Sequence, residues 1–168
     1  PANGSSVTTW VNKSGNGSNA TGTGIYSNGI VFDGTNSYIL PYPGAHATET
    51  GFVVVNFTNF GTDPDIFMGS GGTRELVIYE NRMYLYTTNG AVIHSSTTLP
   101  QSNVNVLLAY SYDSSTSALY LNGTSIGTVN NILIPLNDTN LYIGTNPTAG
   151  TGRNLTGTIS EMLIYTTV

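Results

Sequence analysis

The chain has 168 residues, enough for one domain with a core that needs no covalent staples. Only 8% of it is charged and the net charge is −5, with Lys13, Arg74, Arg82 and Arg153 as the permanent cations. Nucleic acid and anionic membrane surfaces both require clustered Lys and Arg, so the balance excludes them as partners. Cys is absent, which removes disulfide and thiolate chemistry, and the longest apolar runs, such as Phe52-Val53-Val54-Val55, are far short of a membrane span.

Residues 1–28 read as the loosest part of the chain, held by Trp10. From Asn12 to Asn19 the sequence is Asn, Ser, Gly and one Lys. Such a run forms neither helix nor packed strand, so a tight loop stitched by side-chain-to-backbone hydrogen bonds is expected. Beyond it, short runs of Val, Ile, Leu, Tyr and Thr recur between Gly, Asn, Asp and Pro. Strands are predicted over Gly29–Phe32, Tyr38–Leu40, Gly51–Phe57, Asp65–Gly69, Glu75–Tyr79, Arg82–Thr87 and Ala91–Ser95. Five more follow, over Asn103–Tyr112, Ser117–Leu121, Thr124–Val129, Leu141–Gly144 and Leu155–Tyr165. Many short strands at turn-separated spacing predict an all-β, two-sheet antiparallel jelly-roll sandwich. Asp33 is expected to cap its own turn, and Asn122-Gly123 to form a type I′ hairpin turn. One domain is expected over 1–168, as a piece of a longer protein.

The segment Arg74–Tyr86 carries the densest chemistry. A two-residue turn at Glu80-Asn81 pairs Tyr79 with Arg82, Val77 with Tyr84 and Glu75 with Tyr86. Alternation then sets Glu75, Val77, Tyr79, Arg82, Tyr84 and Tyr86 on one face, and Leu76, Ile78, Met83 and Leu85 on the core face. Tyr rings, a guanidinium and a carboxylate on a rigid sheet suit an acidic or hydroxyl-rich sugar chain. Tyr79, Tyr84, Tyr86 and Arg74 are therefore the candidate substrate-binding residues. The same face reads equally as an ordinary outer sheet stabilised by cross-strand Tyr pairs.

Catalysis has two forms here. A glycoside hydrolase needs paired carboxylates, for which Glu75, Asp63, Asp65, Glu80 and Glu49 are the candidates. A lyase needs a Tyr or His as base or acid and an Arg to neutralise a uronate, a set that Tyr84 or Tyr86, His94, Arg82 and Arg74 supply. Glu75, Arg82 and His94 are the candidate catalytic residues. No cofactor is required. Asp63 and Asp65, with backbone carbonyls, are the residues placed to hold one Ca²⁺.

Several motifs resemble, in order, those of LamG-like domains of the concanavalin A-like lectin/glucanase class. The stretch from Trp10 to Ala20 is similar to the class's opening loop, and Phe32-Asp33-Gly34-Thr35-Asn36-Ser37-Tyr38-Ile39 to its first hairpin. Met68-Gly69-Ser70-Gly71 resembles a Gly-rich turn of the class, and Leu119-Tyr120-Leu121-Asn122-Gly123 a later hairpin. Leu141-Tyr142-Ile143-Gly144 and Gly157–Tyr165 look like the last two strands, with Glu161 at an acidic position for which a structural hydrogen bond is expected. The resemblance implies a β-sandwich, a polysaccharide or other glycan as partner, and a rim Ca²⁺ site of the kind many such domains carry. It also implies an extracellular, cell-surface or virion setting. Binding of a cell-wall polysaccharide is the leading expectation, a degrading lyase or hydrolase the second, and a structural or protein-binding module the third.

Overall fold

The computed structural model describes the chain except residues 43, 45, 60–64, 70–73, 88–91, 96–97, 100–102, 114–115, 131–137, 146–152 and 168. At 59, 65, 67–69, 74, 87 and 92 it describes the backbone alone. The described elements are all strands. They begin with β1 (Ser6–Trp10), β2 (Ala20–Tyr26), β3 (Ile30–Asp33), β4 (Tyr38–Pro41), β5 (Thr48–Asn59), β6 (Asp65–Gly69) and β7 (Arg74–Tyr79). They continue with β8 (Arg82–Thr87), β9 (Val92–His94), β10 (Asn105–Tyr112), β11 (Thr116–Leu121), β12 (Thr124–Asn130), β13 (Asn140–Ile143) and β14 (Thr156–Thr167).

Every pairing is antiparallel. The hydrogen-bonded order is β12-β11-β10-β5-β14-β3-β2-β4-β13-β6-β7-β8-β9, with β1 on β2. The path folds into two layers: β2 joins β3 at one end of its length and β4 at the other, through Ile25↔Val31 and Thr21↔Ile39. The far edges then meet again, for a Cβ at Gly127 of β12 would lie 3.0 Å from the His94 carbonyl of β9. Alternate residues of both layers fill the space between them. Phe32, Val53, Val55, Leu108, Leu119 and Ile159 of one layer face Tyr38, Ile66, Leu76, Ile78, Met83, Leu85 and Leu141 of the other, all within 2% of full burial. Each such side chain contributes about 1.5–3 kcal/mol on leaving water.

The predicted sandwich is the observed one, with two corrections. Residues 1–28 are not loose: they supply β1 and β2, in which Ala20 and Val7 are the buried apolar residues. Trp10 meets the Tyr38 ring edge-on at 6.0 Å, and the Tyr38 hydroxyl donates to the Val7 carbonyl at 2.6 Å. Glu161 is exposed and its carboxylate makes no described hydrogen bond. Register slips between Ile159 and Glu161, so Ser160 is the extra residue of a bulge that turns Glu161 outward. The opening loop is stitched as expected: Asn12 accepts from Ser14 N at 2.9 Å and its own N donates to Asn19 Oδ1 at 2.8 Å. Asp33 caps its turn through Thr35 N and Oγ1, and these bonds, the side-chain one foremost, hold its carboxyl below the usual carboxylate range.

One end of the interior is polar. Glu49, fully buried, accepts from the hydroxyls of Tyr42 and Tyr110 and lies 2.8 Å from His46 Nε2. His46 Nδ1 faces the Gly44 carbonyl at 2.7 Å. Gly51 makes this possible. A Cβ there would stand 2.0 Å from Tyr110 Cε1, so only glycine lets that ring lie across β5 and reach Glu49. This carboxylate, one of the hydrolase candidates, is sealed from any sugar.

Candidate functional site

The β7–β8 hairpin forms as its sequence predicts. Glu80 and Asn81 have φ of 47° and 60°, the positive pair a type I′ turn demands. The register is Tyr79↔Arg82, Val77↔Tyr84 and Glu75↔Tyr86. Leu76, Ile78, Met83 and Leu85 are fully buried in the core, while Tyr84, Tyr86, Arg82 and Glu75 are partly exposed on the other side. Val77 departs from the expected exposure: it is 1% exposed yet lies outside the core cluster, so the outer-face side chains themselves cover it.

Two cross-strand lines order this face. One runs through Ile39, Tyr142, Met68, Glu75, Tyr86 and Val92, on β4, β13, β6, β7, β8 and β9. The next runs through Asp65, Val77, Tyr84 and His94. Tyr84 is the hub. Its ring stacks on Tyr86 with centroids 5.8 Å apart and 13° between planes, and meets Tyr79 edge-on at 5.9 Å. The His94 ring lies 5.8 Å away, tilted by 38°. Aromatic contacts of this kind, along β8 for Tyr86 and across strands for Tyr79 and His94, contribute about 0.5–1.5 kcal/mol each beyond burial, so the row is held rigid.

Two guanidinium groups flank the rings in different states. Arg153, from the segment before β14, donates to Glu75 at 2.9 Å, both side chains partly buried. Arg82 donates from Nη1 to the Ser95 carbonyl at 3.0 Å. Ser95 is itself fixed to β8, its N donating to the Met83 carbonyl and its Oγ accepting from Met83 N. Arg82 is thus tied to the residue next to His94.

The fold therefore gathers Glu75, Tyr79, Arg82, Tyr84, Tyr86 and His94 on one face. Arg74 opens β7 opposite Thr87, and its side chain lies outside the described residues. Asp65 opens β6 opposite Val77, its side chain likewise undescribed, and Asp63 lies outside the described residues altogether. Among the described residues no group of three or more acidic or His side chains is arranged to hold a metal. Sequence reasoning missed Tyr142 and Arg153. Neither carries a local signal, because each joins the face through pairing or contact with a distant segment.

No described helix is long and apolar enough to cross a membrane. No curated protein matches the chain by sequence. Among solved structures, domain 4 of AbnA, a GH43 extracellular arabinanase from Geobacillus stearothermophilus in complex with arabinotriose, is similar with a TM-score of 0.76 and 17% identity. The match covers 92% of this chain and 85% of that one. The Ruminococcus gnavus IT-sialidase CBM40 bound to alpha2,3 sialyllactose gives 0.59 and 17% identity, over 72% of this chain and 76% of that one. A botulinum neurotoxin type C structure, whose cell entry depends on two ganglioside molecules, gives 0.67 and 13% over 96% and 48%. A family model, Laminin_G_3, matches residues 33–168. The chain belongs to the Concanavalin A-like lectin/glucanases superfamily.

Proposed function

We propose that this chain is a carbohydrate-binding domain that holds a polysaccharide against the β7–β9 face, in a cell-wall, extracellular or virion-surface setting. The observation that carries the reading is the rigid ring row of Tyr79, Tyr84 and Tyr86 with His94 beside it. Flat aromatic faces suit the apolar faces of sugar rings, and hydroxyl, imidazole and guanidinium edges suit their hydroxyls. The glycan complexes of structural neighbours, with arabinotriose and sialyllactose, support the same class of ligand.

Hydrolysis is the weaker use of the face. Glu75 is engaged by Arg153, and Glu80 stands five residues along, roughly 16 Å at strand spacing. A glycosidase pair sits about 5–10 Å apart. The contact of the Tyr84 and His94 rings, with Arg82 held on the carbonyl of the next residue, Ser95, favours a second reading, lyase chemistry. In it Tyr84 or His94 removes the proton next to a uronate carboxyl while Arg82 offsets the charge that develops. The electron pair forms the C=C bond and the glycosidic C–O bond one carbon further breaks. The departing sugar oxygen takes a proton from the other of the two groups or from water.

A time course on cell-wall and algal polysaccharides tests both, reading released reducing ends, unsaturated-product absorbance and retention on the polymer together. Retention without new ends supports the binding domain. Absorbance that rises with time supports the lyase, and neither retention nor ends on any polymer refutes both.

A further inference from the structure

Arg82 is partly buried, yet no carboxylate neutralises it among the described residues. Of its five N–H donors, one is used, on the Ser95 carbonyl. Arg153 on the same face shows the contrast, since its charge is already paired with the Glu75 carboxylate. Withdrawing a guanidinium from water without a counter-ion is unfavourable, and a chain of net charge −5 has carboxylates to spare. The site is also rigid, since the Ser95 carbonyl anchors the group and Tyr79 faces it across the hairpin. Tyr84 stands two residues along on the same face, with the His94 ring against it. Neither the Tyr84 hydroxyl nor the His94 ring nitrogens make a described hydrogen bond.

We infer that this face selects an anionic sugar, with the Arg82 guanidinium as the seat of its carboxylate. The Tyr84 ring lies under the sugar and the Tyr84 hydroxyl and His94 supply neighbouring hydrogen bonds. The planar fork of Arg fits a carboxylate with two parallel bonds, which a neutral hydroxyl cannot match. The inference rests on the carbohydrate-binding reading and narrows it to carboxylate-bearing sugars, whether uronate polymers or sialylated glycans.

The test is titration calorimetry of the whole chain with polygalacturonate, alginate, hyaluronan and alpha2,3-sialyllactose. Each is paired with its neutral counterpart, the carboxyl-reduced polymer or lactose, and neutral arabinan is included. At least one acidic ligand is expected to bind about tenfold or more tighter than its neutral partner, the range for losing a charge-assisted hydrogen bond. Arg82→Gln removes that preference, while Lys13→Gln, which deletes a cation on the opening loop, leaves it intact. The pattern among ligands separates uronate from sialate. Equal binding of acidic and neutral partners, or a preference that survives Arg82→Gln with an unchanged melt, overturns the acidic-sugar inference and leaves carbohydrate binding standing. Binding to none of the ligands overturns both.

Discussion

Arg153 reaches from the segment before β14 to hold the Glu75 carboxylate on β7 at 2.9 Å, joining residues 78 apart in sequence. The pair closes one end of the tyrosine face and ties a connecting segment to the sheet. Both side chains keep some solvent contact, 28% and 18% exposed, so screening reduces the pair's worth to about 1 kcal/mol. Arg153→Met is expected to lower stability by about that much, and Glu75→Gln by a similar amount. A double-mutant cycle in urea should give a coupling near the single losses, because the two changes remove one interaction. Strict additivity would mean that the contact carries no energy.

Tyr84 touches Tyr79, Tyr86 and His94, so its removal has a readout in binding and a smaller one in folding. Tyr84→Ala is expected to weaken affinity for the bound glycan about tenfold or more, as a central aromatic anchor does. Tyr84→Phe keeps the ring and should lose only the hydroxyl's share, about threefold to tenfold. Calorimetry beside a thermal melt separates the two effects. A Tyr84→Ala protein that melts normally and binds normally would remove this face from the function.

Gly51 and Tyr110 predict the largest stability loss. A Cβ at 51 would stand 2.0 Å from Tyr110 Cε1 and 2.5 Å from its hydroxyl. Gly51→Ala therefore pushes the ring away and strips the buried Glu49 of one donor, at a cost of about 3–5 kcal/mol. Tyr110→Phe removes the donor without the clash and should cost less, about 1–3 kcal/mol. Denaturant midpoints of the two variants test this order. A Gly51→Ala protein as stable as the parent would show that Glu49 does not depend on Tyr110.

Tyr38 sets an alkaline limit. Burial raises its phenol above the ordinary value of 10.0, because the anion would lose its hydration. A group raised in the folded state gives stability that is complete below the unfolded pKa and is lost as pH rises through the folded one. Urea midpoints should therefore fall above about pH 10. Tyr38→Phe gives up the Val7 bond, about 1 kcal/mol at pH 8, but cannot ionise. The gap between parent and variant is expected to narrow toward pH 11. A constant gap would show that Tyr38 does not contribute to the limit.

The hairpin tip stores strain. Glu80 and Asn81 both hold positive φ, the left-handed region that costs a non-glycine residue about 1–2 kcal/mol. Replacing them with Asn-Gly, the favoured pair for this turn, should raise stability by about 1 kcal/mol, read as a higher denaturant midpoint. Unchanged glycan affinity in that variant would confirm that the tip only sets the register.

The hairpin was legible because its information is local. Alternation over Glu75–Tyr86 around a two-residue turn fixes which side chains share a face, and the observed register follows residue for residue. The strands β1 and β2 were not legible. Thr8, Thr9, Gly22 and Gly24 dilute the apolar alternation, and these strands are held by Tyr38 and by pairing with β3 and β4. Glu161 was misplaced because a bulge adds a residue and reverses the alternation beyond it. Nothing in the local sequence marks that insertion.

The sequence by itself determined an all-β chain and, for the β7–β8 hairpin, the register and which side chains share a face, since these depend on neighbours a few residues apart. Only the tertiary structure decided that β13 lies between β4 and β6, which brings Tyr142 into line with Glu75 and Tyr86. It also decided that Arg153 pairs with Glu75, while Arg82 meets no carboxylate among the described residues. A period of two says which way a side chain faces but not which strand lies beside it, and that choice is made by burying one shared core.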